Sequence, residues 1–243
     1  MKNLIKVFSL ATAIFVMPVL SSAKPVDNDN FITGNGNVVK QTRLVTSFHD
    51  LKVSGEIDVE LIQGKEIKLQ VEADENLIEF IRTEVKDGTL CIYSDKSIKN
   101  AKKMMVYCTF QNLDAITASG GCDIISKQKL NFSSLQTDLS GGCDVKITCN
   151  VSKLYCKLSG GCDMVLSGEA ENCTFTASGG CDIKASGLRI KNCTVDASGG
   201  SDVSVYATGE LTIKASGASD ITYSGNPRKV MKNADKSSDI KGR

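Results

Sequence analysis

The 243-residue chain has no tryptophan, a single histidine, three prolines and only 5% aromatic residues. With His49 as its only histidine, the sequence offers no Ser/His/Asp or Cys/His arrangement for nucleophilic catalysis. Sugar-binding faces usually offer aromatic platforms, and the chain has no tryptophan and only five tyrosines for this purpose. The formal net charge is +1, so the chain lacks the basic excess typical of proteins that bind nucleic acid or anionic membranes.

Long apolar runs are also scarce, and the one clear example lies at the start of the chain. Lys2 and Lys6 form a positive end before an apolar stretch over residues 7–20, and Ser21-Ser22-Ala23 follows it. This order is typical of a Sec-type signal peptide, here residues 1–23. The run is too short for a comfortable membrane span. We therefore predict a secreted protein of the periplasm or the outer cell surface.

What the chain does contain is glycine, 21 residues, and cysteine, ten residues, combined in one recurring motif. Ser-Gly-Gly-Cys-Asp occurs four times and then continues as Ser-Gly-Gly-Ser-Asp, Ser-Gly-Ala-Ser-Asp and a last Ser-Ser-Asp. The motif aspartates are Asp123, Asp144, Asp163, Asp182, Asp202, Asp220 and Asp239. An internal repeat with a period near 19 residues indicates a stack of similar units.

Each repeat has the period-2 pattern of a β-strand, interrupted by glycine at a bend. Residues 173–178, Cys-Thr-Phe-Thr-Ala-Ser, show this alternation of interior and surface types. A unit of this size cannot bury its apolar face alone, so the units must stack, each strand pairing in parallel with its copy. The sequence predicts an all-β fold, a right-handed parallel β-helix of about 19-residue coils.

The remaining segments predict additional N-terminal strands and two polar ends. Residues 24–37 are expected to form a flexible arm, and strand patterns begin at Val38. Residues 74–81 are expected to form the one short helix. We place the β-helix domain at 38–226, with the repeat array at 113–226, and a polar C-terminal tail or cap at 227–243. Residues 54–58, Ser-Gly-Glu-Ile-Asp, are a divergent copy of the motif.

Several of these stretches carry a resemblance to a known family. Residues 48–55 (FHDLKVSG), 59–64 (VELIQG) and 88–90 (GTL), followed by repeated Ser-Gly-x-x-Asp, resemble the head GIN domain family. Its members are secreted proteins of Bacteroides-type bacteria described as candidate autotransporter adhesins. The resemblance implies a right-handed β-helix with extra N-terminal strands, and it brings no catalytic or binding residues. Cysteine at the fourth motif position departs from the family pattern.

Four cysteines share one repeat position and are therefore expected to form an inward-facing column: Cys122, Cys143, Cys162 and Cys181. Neighbouring Cα atoms about 4.8 Å apart lie within the disulfide range, but parallel Cβ vectors suit the bond poorly. The pattern favours a ladder of buried thiols and leaves pairing open. Cys173 and Cys193 form a possible second column. Because a column does not supply four tetrahedral ligands, zinc is disfavoured.

The motif aspartates are expected to form an outward-facing column. Neighbouring carboxylates would repel by about 1 kcal/mol in water, so each coil needs a compensating contact. Backbone N–H groups of the adjoining turn, with Lys146 and Lys184, are the favoured source. Calcium is the alternative, which makes six aspartates weak candidate metal ligands: Asp123, Asp144, Asp163, Asp182, Asp202 and Asp220. We expect no cofactor.

The sequence therefore favours a non-enzymatic, secreted cell-envelope protein, an adhesin or structural module that uses a repetitive polar surface. Its expected partners are glycans or envelope and host surface proteins, and unpaired strand edges offer a route to self-association. The alternative is a β-helix carbohydrate-active enzyme of the polysaccharide lyase or hydrolase type. Outward carboxylates beside a basic residue in a groove would favour that alternative.

Overall fold

The computed structural model describes residues 31–243, so the predicted signal peptide lies outside the described residues. Within this range the chain forms strands and no helix, and accordingly no helix that could cross a membrane. The strands are β1 (Phe31–Thr33), β2 (Val38–Arg43), β3 (Asp50–Gly55), β4 (Asp58–Gln63), β5 (Lys68–Asp74), β6 (Ile81–Lys86), β7 (Thr89–Ser94), β8 (Ser97–Lys99), β9 (Met104–Phe110), β10 (Ala115–Gly120), β11 (Asp123–Gly141), β12 (Asp144–Gly160), β13 (Asp163–Gly179), β14 (Asp182–Ala197), β15 (Asp202–Ala207), β16 (Glu210–Ala215), β17 (Asp220–Ser224), β18 (Lys229–Ala234) and β19 (Asp239–Gly242).

Parallel pairing between successive repeats confirms the predicted solenoid. The strands from β10 to β19 stack in register, so that each motif aspartate lies beside its copy in the next coil. The result is a β-solenoid of about seven turns with coils of about 19 residues. Inward residues of equivalent positions form continuous columns, such as Ile124, Val145, Met164 and Ile183, all at most 1% exposed. Burying each such side chain contributes roughly 1.5–3 kcal/mol.

The first glycine of the motif creates the bend at each corner. Gly160 has a φ of 89°, a region that L-residues with a side chain rarely adopt. A Cβ added there would lie 2.7 Å from the carbonyl oxygen of Gly141 in the preceding coil. At the second glycine, Gly161, the corresponding distance is 3.8 Å. This difference explains why alanine, as Ala218, replaces only the second glycine of the motif.

The divergent motif at residues 54–58 belongs to the same solenoid. Ser54 and Gly55 in β3 pair in register with Ser119 and Gly120 in β10, and Ile57 is fully buried. β3 and β4 therefore form the coil before the repeat array. β7 and β9 pair in parallel with them, and the antiparallel strands β6, β5 and β2 complete this end.

The expected helix at residues 74–81 is wrong, because two consecutive tight turns connect β5 to β6 there. The amides of Leu77 and Ile78 both donate to the carbonyl of Asp74, at 2.8 and 3.1 Å, and Phe80 N donates to Leu77 O. Strand pairing on both sides leaves only six residues between the strands, which is too few for a stable helix.

The Asp74 side chain also fixes the segment that the sequence predicts as a flexible arm. Its buried carboxylate accepts backbone N–H groups from Gly36 (2.8 Å), Lys102 (3.1 Å) and Lys103 (3.2 Å). Burial acts to raise the pKa of Asp74, but these hydrogen bonds outweigh it and the pKa is lowered. Residues 31–33 pair with β8 as a strand, so the described part of the arm is docked on the domain.

The repeat array also extends past its predicted end at residue 226. β18 pairs with β16, and β19 pairs with β17, placing Asp239 beside Asp220. Residues 229–242 thus add a coil, and within the described chain its strands have register partners only on the side of β16 and β17. Val230 and Ile240 pack against the core from this last coil.

We predict that Gly160→Ala destabilises the protein and that Gly161→Ala does not. The first change adds a Cβ against the Gly141 carbonyl and strains the backbone, at a cost of about 1–3 kcal/mol, whereas the second meets ordinary contact distance. Thermal unfolding followed by circular dichroism should give a melting temperature several degrees lower for Gly160→Ala only. Equal melting temperatures for the two variants would contradict this account of the bend.

We predict that Asp74 makes stability sensitive to acid. The pKa of Asp74 in the folded protein is lower than its value of about 3.9 in the unfolded chain. The ionised carboxylate therefore stabilises the fold fully above about pH 4, and this stabilisation is lost as the pH falls through the folded pKa. Urea unfolding at neutral pH should show that Asp74→Asn costs about 1–3 kcal/mol. This difference between wild type and variant should shrink below pH 4; a constant difference would show that the carboxylate charge is not responsible.

Candidate functional site

The first motif column is the buried row of Cys122, Cys143, Cys162 and Cys181, each 0% exposed. In the last three, Sγ lies 3.3–3.4 Å from the carbonyl oxygen of the serine that opens the same bend. Ser201 and Ser219 continue the column, and their hydroxyls donate to the equivalent carbonyls at 2.9 and 2.8 Å. The position thus takes a small side chain that donates to the bend. Burial raises the pKa of Cys122 and Cys162.

Two pairs of cysteines are neighbours, one in this column and one in the predicted second column. Sγ of Cys122 lies 3.4 Å from Sγ of Cys143 without a disulfide between them. Cys173 and Cys193 are register partners in β13 and β14, and burial raises the pKa of Cys193 to about 12. Raised thiol pKa values disfavour the reactive thiolate, which supports a packing role. The reduced thiol ladder itself stays a prediction.

The second motif column is the aspartate ladder on the outer surface. Asp182 pairs with Lys184 at 3.1 Å, and Asp239 pairs with Lys241 at 2.6 Å. At the other end, Asp58 Oδ1 accepts the backbone N–H of Asp123 at 3.2 Å, and burial together with the Asp58 charge raises the pKa of Asp123. Lysines in the same coil therefore compensate parts of the ladder, and a turn amide does so at Asp58.

Neither column forms a cluster of metal ligands. Within residues 31–243, no group of three or more His, Cys, Asp or Glu side chains has an arrangement that could hold an ion. The single histidine, His49, lies 3.3 Å from the Asp50 carboxylate through Nδ1. The sequence-predicted residues are thus brought together as ladders, and calcium binding by the six aspartates stays the untested, disfavoured alternative.

The structure adds a feature that the motif does not predict, a long groove of about 990 Å³ on another side of the solenoid. We call it the axial groove, because equivalent positions of successive coils line it. Its residues are Asn112, Leu113, Asp114, Asn131, Phe132, Ser133, Asn150, Val151, Ser152, Glu169, Ala170, Glu171, Arg189, Lys191, Thr208 and Arg228.

Register pairing sets the order of side chains along the axial groove. Asn131 pairs with Asn150, Asn150 with Glu169, and Glu169 with Arg189, one residue in each coil. Phe132, Val151 and Ala170 alternate with them and remain 5–8% exposed, so they form an apolar floor. In the sequence, these polar residues are 19 or 20 positions apart, which indicates a shared position in the coil. The pattern is hard to recognise because the residue type changes from coil to coil.

A neighbouring side chain holds the first of these positions in place. β4 ends at Gln63, so Asn131 has no backbone partner on that side. The side-chain amide of Gln63 takes the place of a strand: Oε1 accepts the N–H of Asn131 at 2.8 Å, and Nε2 donates to the carbonyl of Asn131 at 2.9 Å. One coil further on, Asn150 Nδ2 donates to Asn131 Oδ1 at 3.3 Å. The Oδ1 atom of Asn150 is buried and has no hydrogen-bond partner.

The family model described as "Putative auto-transporter adhesin, head GIN domain" matches residues 47–227. The chain belongs to the head GIN domain family. The predicted resemblance is therefore confirmed over most of the head GIN protein, including all four Ser-Gly-Gly-Cys-Asp motifs. Among proteins with curated functions, none matches the chain.

Solved structures show the same fold. A Bacteroides fragilis protein described as "a putative adhesin" is 24% identical with a TM-score of 0.83, covering 87% of this chain and 100% of its own. A Parabacteroides distasonis "putative lipid binding protein" is 22% identical with a TM-score of 0.71, covering 88% and 99%. A Parabacteroides merdae "putative adhesin" is 19% identical with a TM-score of 0.72, also covering 88% and 99%.

We predict that millimolar calcium does not raise the melting temperature of the head GIN protein. The ladder aspartates form a line with lysines beside it, whereas calcium needs six to eight oxygen ligands around one point. Thermal unfolding with 5 mM CaCl₂ and with EDTA checks this, with MgCl₂ as the control for ionic strength. A rise of several degrees specific to calcium would instead establish the ladder as a metal site.

Proposed function

We propose that this head GIN protein is a non-enzymatic binding module of the cell envelope, exported by residues 1–23, that adheres to glycans or to surface proteins. The family description and the adhesin neighbours support a role at surfaces. Its outer faces also support it, since the coils repeat polar side chains at fixed spacing. Many weak, regularly spaced contacts suit an extended ligand.

The observation that carries this proposal is the axial groove. It extends over successive coils and presents amides, hydroxyls and charged groups along one line. A groove of this shape matches a chain-like ligand lying along the solenoid axis better than a compact small molecule. The exposed flat face beside it, with Tyr155 48% exposed and Met231 45% exposed, provides a second surface for contact.

One arrangement favours the enzyme alternative, because Glu169 and Glu171 lie beside Arg189 and Lys191 in the axial groove. A general acid or base must be held within hydrogen-bond reach of the proton it transfers. Both glutamates are exposed, and no other described residue forms a side-chain hydrogen bond or ion pair with either of them. No contact of the described chain therefore positions either carboxylate for catalysis, and binding is the better supported role of the groove.

A lipid-binding role, suggested by the name of the Parabacteroides distasonis neighbour, has less support here. Sites for acyl chains are concave and mostly apolar. The axial groove is lined largely by Asn, Ser, Glu, Arg and Lys side chains. The floor formed by Phe132, Val151 and Ala170 is narrow and only slightly exposed.

We predict that residues 24–243 bind a subset of bacterial, mucin and dietary glycans on an array, and that EDTA does not abolish binding. Incubation with the bound glycans should release no reducing ends or unsaturated sugars. If products appear, the enzyme alternative is correct, and Glu169→Gln/Glu171→Gln should then stop their release. If no glycan binds, adhesion to glycans is wrong, and pull-downs from envelope extracts would test surface-protein partners.

A further inference from the structure

The axial groove changes character along its length, and this change points to a particular ligand. The first coil contributes Asp114 at the outer end of the groove, and the next two coils contribute amides and hydroxyls, Asn131, Ser133, Asn150 and Ser152. Glu169 and Glu171 occupy the next coil, and Arg189 and Lys191 the one after, followed by Arg228. Beyond Asp114, the groove therefore runs from a neutral segment through an acidic coil to a basic end.

The neutral segment offers contacts that suit sugar rings. Asn131, Ser133 and Ser152 line this segment and are exposed. Their amide and hydroxyl groups can both donate to and accept from ligand hydroxyls. The apolar floor of Phe132 and Val151 lies next to them and can pack against the C–H face of a ring.

The basic end offers uncompensated positive charge. Within the described chain, Arg189, Lys191 and Arg228 make no ion pair with a carboxylate within 4.0 Å, although Glu169 pairs with Arg189 in the strand register. Arg189 instead lies over the Tyr206 ring, 5.9 Å from its centroid. Guanidinium groups bind carboxylates through charge-assisted, bidentate hydrogen bonds, so this end suits an anionic group.

We propose that the axial groove binds an oligosaccharide that carries a carboxylate on its terminal sugar, as sialylated and glucuronate-terminated glycans do. The neutral sugars lie against Asn131, Asn150 and Phe132, and the carboxylate lies against Arg189, Lys191 and Arg228. Glu169 and Glu171 separate the two regions and repel a chain with a carboxylate on every sugar. This inference rests on the proposed glycan-binding function and specifies its ligand.

Four oligosaccharides, each titrated into the native protein, separate these features. Two carry a terminal carboxylate, sialyl-lacto-N-tetraose and a glucuronate-terminated oligosaccharide. The other two are the neutral asialo form and an oligogalacturonate of similar length. Isothermal titration should show at least about tenfold tighter binding of one terminally carboxylated probe than of its neutral form or the oligogalacturonate, as expected for charge-assisted hydrogen bonds. Failure of both terminally carboxylated probes to bind, or equal binding of the neutral forms, would overturn the proposal.

Charge reversal locates the site. Arg189→Glu/Lys191→Glu should remove the preference for the carboxylated probe, and Asn150→Leu should weaken the charged and neutral probes alike. The matched control is Lys146→Glu/Lys214→Glu, which reverses two exposed charges outside the groove and should bind within about twofold of wild type. Circular dichroism confirms that each variant is folded. If the array shows glycan binding that these groove variants leave unchanged, this inference fails while the proposed function stands.

Discussion

The contact between the first motif glycine and the carbonyl of the same glycine in the preceding coil controls the whole solenoid. The carbonyl of Gly141 accepts the N–H of Gly161 at 2.8 Å, and the same bond recurs at 2.7–2.9 Å from Gly121 to Ala218. A side chain on Gly160 would occupy the space between the coils. Because the corners from Gly121 to Ala218 are anchored in this way, successive coils share one register at the motif.

That single register explains the columns on both surfaces. Inside the corner, it aligns the fourth motif position, where a thiol or a hydroxyl reaches the carbonyl of the opening serine. On the outer surface, the same register aligns the aspartates, whose carboxylates repel one another. Lysines beside the ladder, such as Lys184, compensate part of that repulsion. Where the chain inserts extra residues after Ile125, the register shifts locally, and Lys127 reaches the largely buried Glu60 at 2.7 Å.

The sequence predicts those parts of the structure that repeat. Equal spacing of Asp144, Asp163 and Asp182 predicts the stack, and the alternation beside each of them predicts which residues face inward. The turns at residues 74–80 were not predictable from the local pattern, because the Asp74 carboxylate accepts hydrogen bonds from the amides of Gly36 and Lys102, which are distant in sequence. The last coil was difficult for a related reason: Lys236 and Ser237 replace both motif glycines, and pairing with β16 and β17 maintains the coil.

The axial groove was not predictable because its residues share a position without sharing chemistry. Asn131, Asn150, Glu169 and Arg189 become a continuous surface only after the coils stack. This variation is also what a selective site requires. Along the aspartate ladder each coil presents nearly the same group, so a ligand displaced by one coil meets almost the same surface. In the groove a displacement of about 4.8 Å moves a carboxylate from Arg189 onto Glu169. Selective recognition of a chain-like ligand on this fold therefore depends on the positions where the repeat is broken, and in the groove the described chain breaks it with charge.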